Sequence, residues 1–465
     1  MNFRRFRWCA TGTGGAPTPV AICAPAYSLK MVANELTAAH GGLDAFSGAD
    51  ASSDVRTVFS WSYRAVSPAA ARLCRLLSTH PGPDIPTTTA AALAGLPRRQ
   101  VIALIRELTR AHLVGEPKPS RYSCHDLLHA YATELAEPDE SQGALHRVLD
   151  YYLHSAYAAA LALFPQRSAV PLAEPLSGVM PAQFPDRDAA MAWFTAEHAN
   201  LTAAISAAIP DFDRYFWQLA WAMEHYFEWQ GHWADWTRTL RAAVAAGERL
   251  GDPLAQANAH RGLGLAYAAQ HQNEQAGHHL ARALQLHEQL DDLIGQAAVQ
   301  RAIGSQLMRQ GRLVEGLGLL EQALDRYQRA GFDSGAGAAL NEIGWCHTLL
   351  GNYERAIEYC TRALTILQRA GNRPGEAATW DSLGRAHHQL GNHTEAARCY
   401  QRAVDLRRED GARQYEARSL TRLGDLHHDA GDQEAATAAW RRAADILTDL
   451  GHPDLANVVT RLDPS

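Results

Sequence analysis

Apolar residues recur at helical spacing along most of the chain, and from about residue 213 they also obey a longer period. Glycine exposes it. Gly264, Gly304, Gly344, Gly384 and Gly424 are each 40 residues apart. Gly311, Gly351, Gly391 and Gly431 keep the same step, as do Gly331, Gly371, Gly411 and Gly451. Two non-glycine series follow: Ala283, Ala323, Ala363, Ala403 and Ala443, and Leu263, Ile303, Ile343, Leu383 and Leu423. The second and third glycine series follow apolar-faced stretches and predict left-handed helix stops. The first falls mid-helix, where glycine costs about 1 kcal/mol relative to alanine; a helix keeps it when a neighbouring chain must pass close. Each period is thus a helical hairpin with small residues at its crossing points. One hairpin cannot bury its apolar face alone, so units must stack into a solenoid. Gly231, Gly251, Trp233, Trp236 and Ala243 extend the register to a divergent first unit. The expectation is about six 40-residue units over 213–454.

Upstream the pattern changes. Ser67-Pro68 is a helix-start signal before the apolar stretch Ala69 to Leu77, which Pro81-Gly82-Pro83 interrupts. Thr87 to Ala94 is a second helix, closed by Gly95. Arg98 to Ala111 is a third, with Val101, Ile102, Leu104, Ile105 and Leu108 on one face. Leu113-Val114, a turn at Pro117 to Ser120, and Arg121 to Cys124 suit a short hairpin before a further helix that opens at His125. Three helices and a small hairpin describe a winged helix. The fold class is therefore all-α, with a repeat superhelix preceded by a winged-helix domain.

Composition narrows the function. With 465 residues, 47% of them apolar, the chain can form about three domains with sizeable cores. No apolar run reaches the ~18–20 residues of a membrane span. The seven cysteines, Cys9, Cys23, Cys74, Cys124, Cys346, Cys360 and Cys399, are scattered and lack CxxC spacing, which suits reduced thiols in a cytoplasm. A net charge of −7 argues against a whole-chain polyanion binder. Arg4, Arg5 and Arg7 open the sequence, but glycines and prolines break the stretch that a secretory signal would need. Residues 1–30 are expected to be disordered or atypical.

Leu340, Ile343, Gly344, Tyr353, Ala356 and Ala363 carry a pattern that resembles the tetratricopeptide repeat, lengthened by about six residues from its common form. The aromatic of the first helix is histidine at His347, His387 and His427, and the usual proline after the second helix is missing except for an offset Pro374. Phe59-Ser60-Trp61-Ser62-Tyr63, His80-Pro81-Gly82-Pro83-Asp84 and His125-Asp126-Leu127-Leu128 resemble the winged-helix segment of NB-ARC-type STAND regulators, in particular the SARP-type transcriptional regulators of actinomycetes. Trp193-Phe194, Glu197 and Asn200-Leu201 fit the linker of that family. The resemblance implies a nucleotide switch ahead of the repeats, with His125 contacting an ADP phosphate and Asp126 bracing it. That switch needs GxxxxGK[ST], and neither Lys30 nor Lys118, the chain's two lysines, follows a glycine. Nucleotide binding is thus not expected without a separate domain, and His125 and Asp126 have a simpler use in capping a helix. The chain is expected to correspond to the C-terminal part of such a regulator, lacking the nucleotide-binding domain. Its parts would be the N-terminus 1–30, a remnant helical subdomain 31–58, the winged helix 59–140, a helical linker 141–212, the repeats 213–454 and a tail 455–465.

No catalytic constellation is expected. His287-Glu288 is followed by Asp291 where HExxH needs histidine, and GxSxG is absent. The pairs His278-His279, His387-His388 and His427-His428 point about 100° apart on a helix, so no metal or cofactor is assigned; His388 and His428 could still approach each other beside Asp425. In repeat arrays of this kind the first helices line a concave groove. The corresponding positions are Arg261, Arg301, Ser305, Arg309, Asn341, Trp345, Asp381, Arg385, His388, Asp425 and His428. The expected function is a non-enzymatic interaction scaffold or sensor arm of a regulator. Its partner would be a peptide or protein making acidic and apolar contacts near Arg301, Arg309 and Trp345. The alternatives are DNA binding through the winged helix, where Arg98, Arg99, Arg106 and Arg110 share a helix, and a truncated fragment without function.

Overall fold

The computed structural model describes residues 55–207, 209 and 211–462. The expectations for 1–30, for most of 31–58 and for the last tail residues lie outside them. The chain divides into two compact units, and the division falls inside a helix spanning Pro138–Leu163.

The first unit contains α1 (Val55–Ala65), α2 (Pro68–Leu77), β1 (Ile85–Pro86), α3 (Thr87–Ala94), α4 (Arg98–Arg110), β2 (Gly115–Lys118), β3 (Arg121–Ser123) and α5 (Asp126–Glu134). Ser67 caps α2 by accepting from the Ala70 amide, and Pro68 fills the first turn, where no N–H is needed. Gly95 closes α3 at φ 64°, the left-handed stop. Leu73, Leu76, Leu93, Val101, Ile105 and Leu108 form the core. Two details differ from the sequence reading. A two-residue β1 pairs with β3, giving the antiparallel order β1-β3-β2. Leu113 and Val114 precede the hairpin as buried core residues, because their side chains are worth more to the core than to an exposed ribbon.

The second unit continues α6 (Pro138–Leu163), then α7 (Arg187–Ser206), and then helices that pair as six hairpins. These are α8 (Asp213–Gln230) with α9 (Trp233–Leu250), α10 (Pro253–Ala269) with α11 (Asn273–Gln289), α12 (Leu293–Arg309) with α13 (Leu313–Arg329), α14 (Asp333–Leu349) with α15 (Tyr353–Arg369), α16 (Arg373–Gln389) with α17 (His393–Glu409), and α18 (Arg413–Asp429) with α19 (Gln433–Asp449). A final α20 (Leu455–Leu462) packs on α19. The array is a tetratricopeptide superhelix. Its periodic alanines, Ala283 through Ala443, are fully buried. Ala363 lies between Leu340 of its own hairpin and Leu324 of the preceding one. At Gly344 a Cβ would stand 2.5 Å from Cys360 Sγ and 3.1 Å from the Ala356 carbonyl oxygen. The mid-helix glycine thus admits both the side chain and the backbone of the second helix.

The array closes on itself. The Tyr415 hydroxyl on α18 donates to Glu228 on α8, and the Gln230 amide donates to the Gly411 carbonyl at 3.2 Å. The rings of Trp233 and His452 meet edge to face at 5.7 Å. No described helix is long and apolar enough to cross a membrane.

Candidate partner-binding groove

The first helices α10, α12, α14, α16 and α18 carry the predicted groove residues, and neighbouring first helices, α8 included, are tied by charged and polar pairs. Arg261 pairs with the buried Glu224 at 3.0 Å. Burial alone would raise the Glu224 pKa, but Arg261 and Arg167 outweigh it and hold the carboxyl low. Arg301 pairs with Glu342, and the Ser305 hydroxyl donates to the same carboxylate at 2.6 Å. The Glu342 charge pushes Arg301 above the ordinary arginine value. Asp381 is buried, accepts from Ser419 at 2.8 Å and pairs with Arg422. Asp425 pairs with Arg461 at 2.7 Å and accepts from the Trp440 indole at 3.1 Å.

Of the expected groove residues, Arg261, Arg301, Ser305, Asp381 and Asp425 do not stand without a partner. Each already has one inside the array, because leaving a half-buried charge unpaired is costly. His388 and His428 each bond another residue. His388 is buried and bonds Asp429 at 2.9 Å, while the exposed His428 bonds Gln433 at 3.0 Å. Asn341 is buried, its oxygen facing the Cys360 thiol, and Arg385 lies half-buried beside Tyr400. A sequence signal for this ladder existed and was missed. Opposite charges stand 37 or 41 residues apart, one period less three or plus one, as in Glu224–Arg261, Arg301–Glu342 and Asp381–Arg422.

Arg309 and Trp345 stay available. Arg309 is exposed and makes no ion pair or hydrogen bond with another described residue, yet surrounding protein lowers its pKa through desolvation. Near it stand Glu342, Tyr415 and Arg418. Arg418 is also without an ion pair among the described residues, and its guanidinium lies 4.8 Å from the Tyr415 ring. Trp345 is half-buried, with the Arg422 guanidinium 4.7 Å from its ring centre.

Sequence reading also missed an occupant. Residues 164–171, between α6 and α7, run without regular structure against the inner wall and line, with it, a cavity of about 200 Å³. Arg167 lies 3.5 Å from the Trp221 ring centre and donates to the Trp221 carbonyl at 3.0 Å. Burial lowers its pKa to about 10. The Gln218 amide donates to the Pro171 carbonyl at 2.7 Å, and the Phe164 ring packs on His225 at 5.0 Å. Burial and the Arg167 charge depress His225 to about 3, which keeps it neutral.

In the first unit, His125 caps α5, its Nδ1 accepting from the Leu127 amide at 3.4 Å, and both His125 and Asp126 are exposed. Among the described residues the groove histidines join no group of three or more metal-ligating side chains; the group that does form, His198, His232 and Asp235, lies elsewhere.

Helical hairpins repeated in this way define the tetratricopeptide class, and the tetratricopeptide repeat model matches residues 295–369, 336–409 and 375–449. The chain is similar to the regulatory protein AfsR of Streptomyces coelicolor, 32% identical over 192 residues, which is 38% of this chain and 18% of that protein. It is similar to AfsR of Streptomyces griseus at 30% over 272 residues, covering 56% and 27%. The chain thus spans about a quarter or less of these relatives. Among solved structures, a STAND protein with a tetratricopeptide repeat sensor from Pyrococcus horikoshii has 16% identity and a TM-score of 0.42, covering 93% of this chain and 69% of that one. NprR in complex with its cognate peptide NprX has 16% identity and a TM-score of 0.45, covering 58% and 78%.

Proposed function

We propose that the chain is a non-enzymatic sensor arm of a cytoplasmic transcriptional or signalling regulator, and that its repeat groove binds an extended peptide or protein segment. The observation that carries this reading is the seating of residues 164–171 on the inner wall. An irregular stretch of chain is held there by a side-chain amide bonded to its backbone, by an aromatic face under its arginine and by ring packing. A wall that holds one extended segment has the donors and apolar faces to hold another. Arg309 and Arg418 add two guanidiniums without ion partners, so the favoured ligand is acidic with an aromatic or apolar residue for Trp345.

The test is fluorescence anisotropy of the intact chain against a panel of labelled acidic and basic peptides. Acidic peptides should bind, and the Arg309→Glu/Arg418→Glu double variant should lose them. Equal binding by the variant, or no preference for acidic peptides, removes the reading.

A second reading has one observation in its favour. Arg98, Arg99, Arg106 and Arg110 on α4 are all exposed and form no ion pair with a described residue, a surface suited to phosphates. Retention of random duplex DNA at low salt, lost on reversing Arg106 and Arg110, would support it; no retention retires it.

A further inference from the structure

His198 lies on α7, His232 precedes α9 as its cap residue, and Asp235 sits in the first turn of α9. Nε2 of His198 is 2.7 Å from Oδ2 of Asp235. One nitrogen of each imidazole and one carboxylate oxygen lie within 4.8 Å of one another, and the two rings are 4.4 Å apart. We propose that these three side chains form a binding site for a divalent transition-metal ion of the zinc type.

The donor set decides the class of ion. Two imidazole nitrogens and a carboxylate suit zinc, whereas calcium and magnesium require mostly oxygen. Three protein ligands on half-buried residues leave one position open for water and a path for entry. The outer shell is already built. Arg238 holds the other Asp235 oxygen at 2.6 Å. The Tyr226 hydroxyl stands 3.2 Å from Nδ1 of His198 and 3.3 Å from Nε2 of His232. Tyr226 is itself buried and stacked on Phe194 at 5.2 Å. Its bond to Nδ1 of His198 leaves Nε2 directed at the carboxylate, the orienting role that outer-shell groups play around metal-bound histidines. Zinc would take the Nε2 lone pair of His198 with the ring's proton on Nδ1, where it donates to the Tyr226 hydroxyl oxygen. By contrast, another close histidine pair, His260 and His279, has Nδ1 atoms 2.8 Å apart but joins no such three-residue group among the described residues. The ion would join α7, which precedes the repeats, to the first hairpin.

The experiment uses the intact, tag-free chain, stripped with chelator and titrated with Zn2+ against a chromophoric competitor, with bound metal counted by elemental analysis. One zinc ion should bind per chain. His232→Ala and Asp235→Asn should each weaken binding by more than about tenfold, and Tyr226→Phe by roughly 10–100-fold, as outer-shell losses do. His279→Ala should change nothing. Co2+ should give the visible absorption of a four-coordinate site in the unmodified chain and none in Asp235→Asn. That isosteric variant stands in if His232→Ala fails to fold. Absence of stoichiometric zinc, unchanged affinity in Asp235→Asn, or a loss caused by His279→Ala would each overturn the proposal.

Discussion

Asp291 and His271 occupy helix stops where the 40-residue register elsewhere places glycine. Their φ angles are 51° and 60°, left-handed values that cost a residue with a Cβ about 1 kcal/mol or more. Gly331 and Gly311, one period later, take φ 66° and 80° without that cost. Asp291→Gly and His271→Gly should therefore each raise stability by about 0.5–1 kcal/mol, read as a higher urea midpoint at unchanged slope. A lower midpoint would mean that these side chains hold the turns. His260 supplies a pH prediction. Its Nδ1 meets that of His279 at 2.8 Å, and burial followed by the His279 charge lowers its pKa from 6.5 to about 4. The unfolded chain therefore takes up this proton first as pH falls. The stability is fully present above about pH 6.5 and is lost on descent towards pH 4. Melts of His260→Gln should lose less stability across that window than the unmodified chain; an identical acid profile would remove His260 from the account.

Each hairpin element depends on its small residue. Ala363 is fully buried between Leu340, Leu367 and the neighbouring Leu324. Ala363→Leu should cost roughly 1–3 kcal/mol by overfilling that crossing, with faster hydrogen exchange in α14 to α16 and little change in α10. A neutral result would contradict the packing. The same elements explain what the sequence could reveal. The hairpins were legible because steric limits act on single positions: only glycine fits beside Cys360 at Gly344, so the constraint repeats visibly. The pairing of the expected groove residues was not legible. Whether Arg301 is free depends on Glu342, 41 residues away on another helix, and single-position reasoning does not see that pairing. The strand β1 was hidden for a different reason, since two residues are too few to alternate.

On the scale of the whole repeat array, contacts between residues more than 180 apart draw the first and sixth hairpins together. Glu228 is central to that closure. Burial pushes its carboxyl above the ordinary glutamate value, and the Tyr415 hydroxyl works against the shift. Tyr415→Phe should leave the carboxylate short of a donor and cost about 1–3 kcal/mol. Hydrogen exchange should quicken in α8 and α18 but not in α13; unchanged protection there would mean that the hydroxyl contributes nothing to closure. The segment at 164–171 acts at the same scale, because it is covalently tethered to the wall it occupies. A tether of this kind presents its segment at an effective concentration on the order of millimolar. Any soluble ligand for the same wall must outcompete that resident, so its apparent affinity for the intact chain falls by the fraction of time the wall is vacant. Severing or loosening the tether would then sharpen recognition without altering a single contact that the newcomer makes.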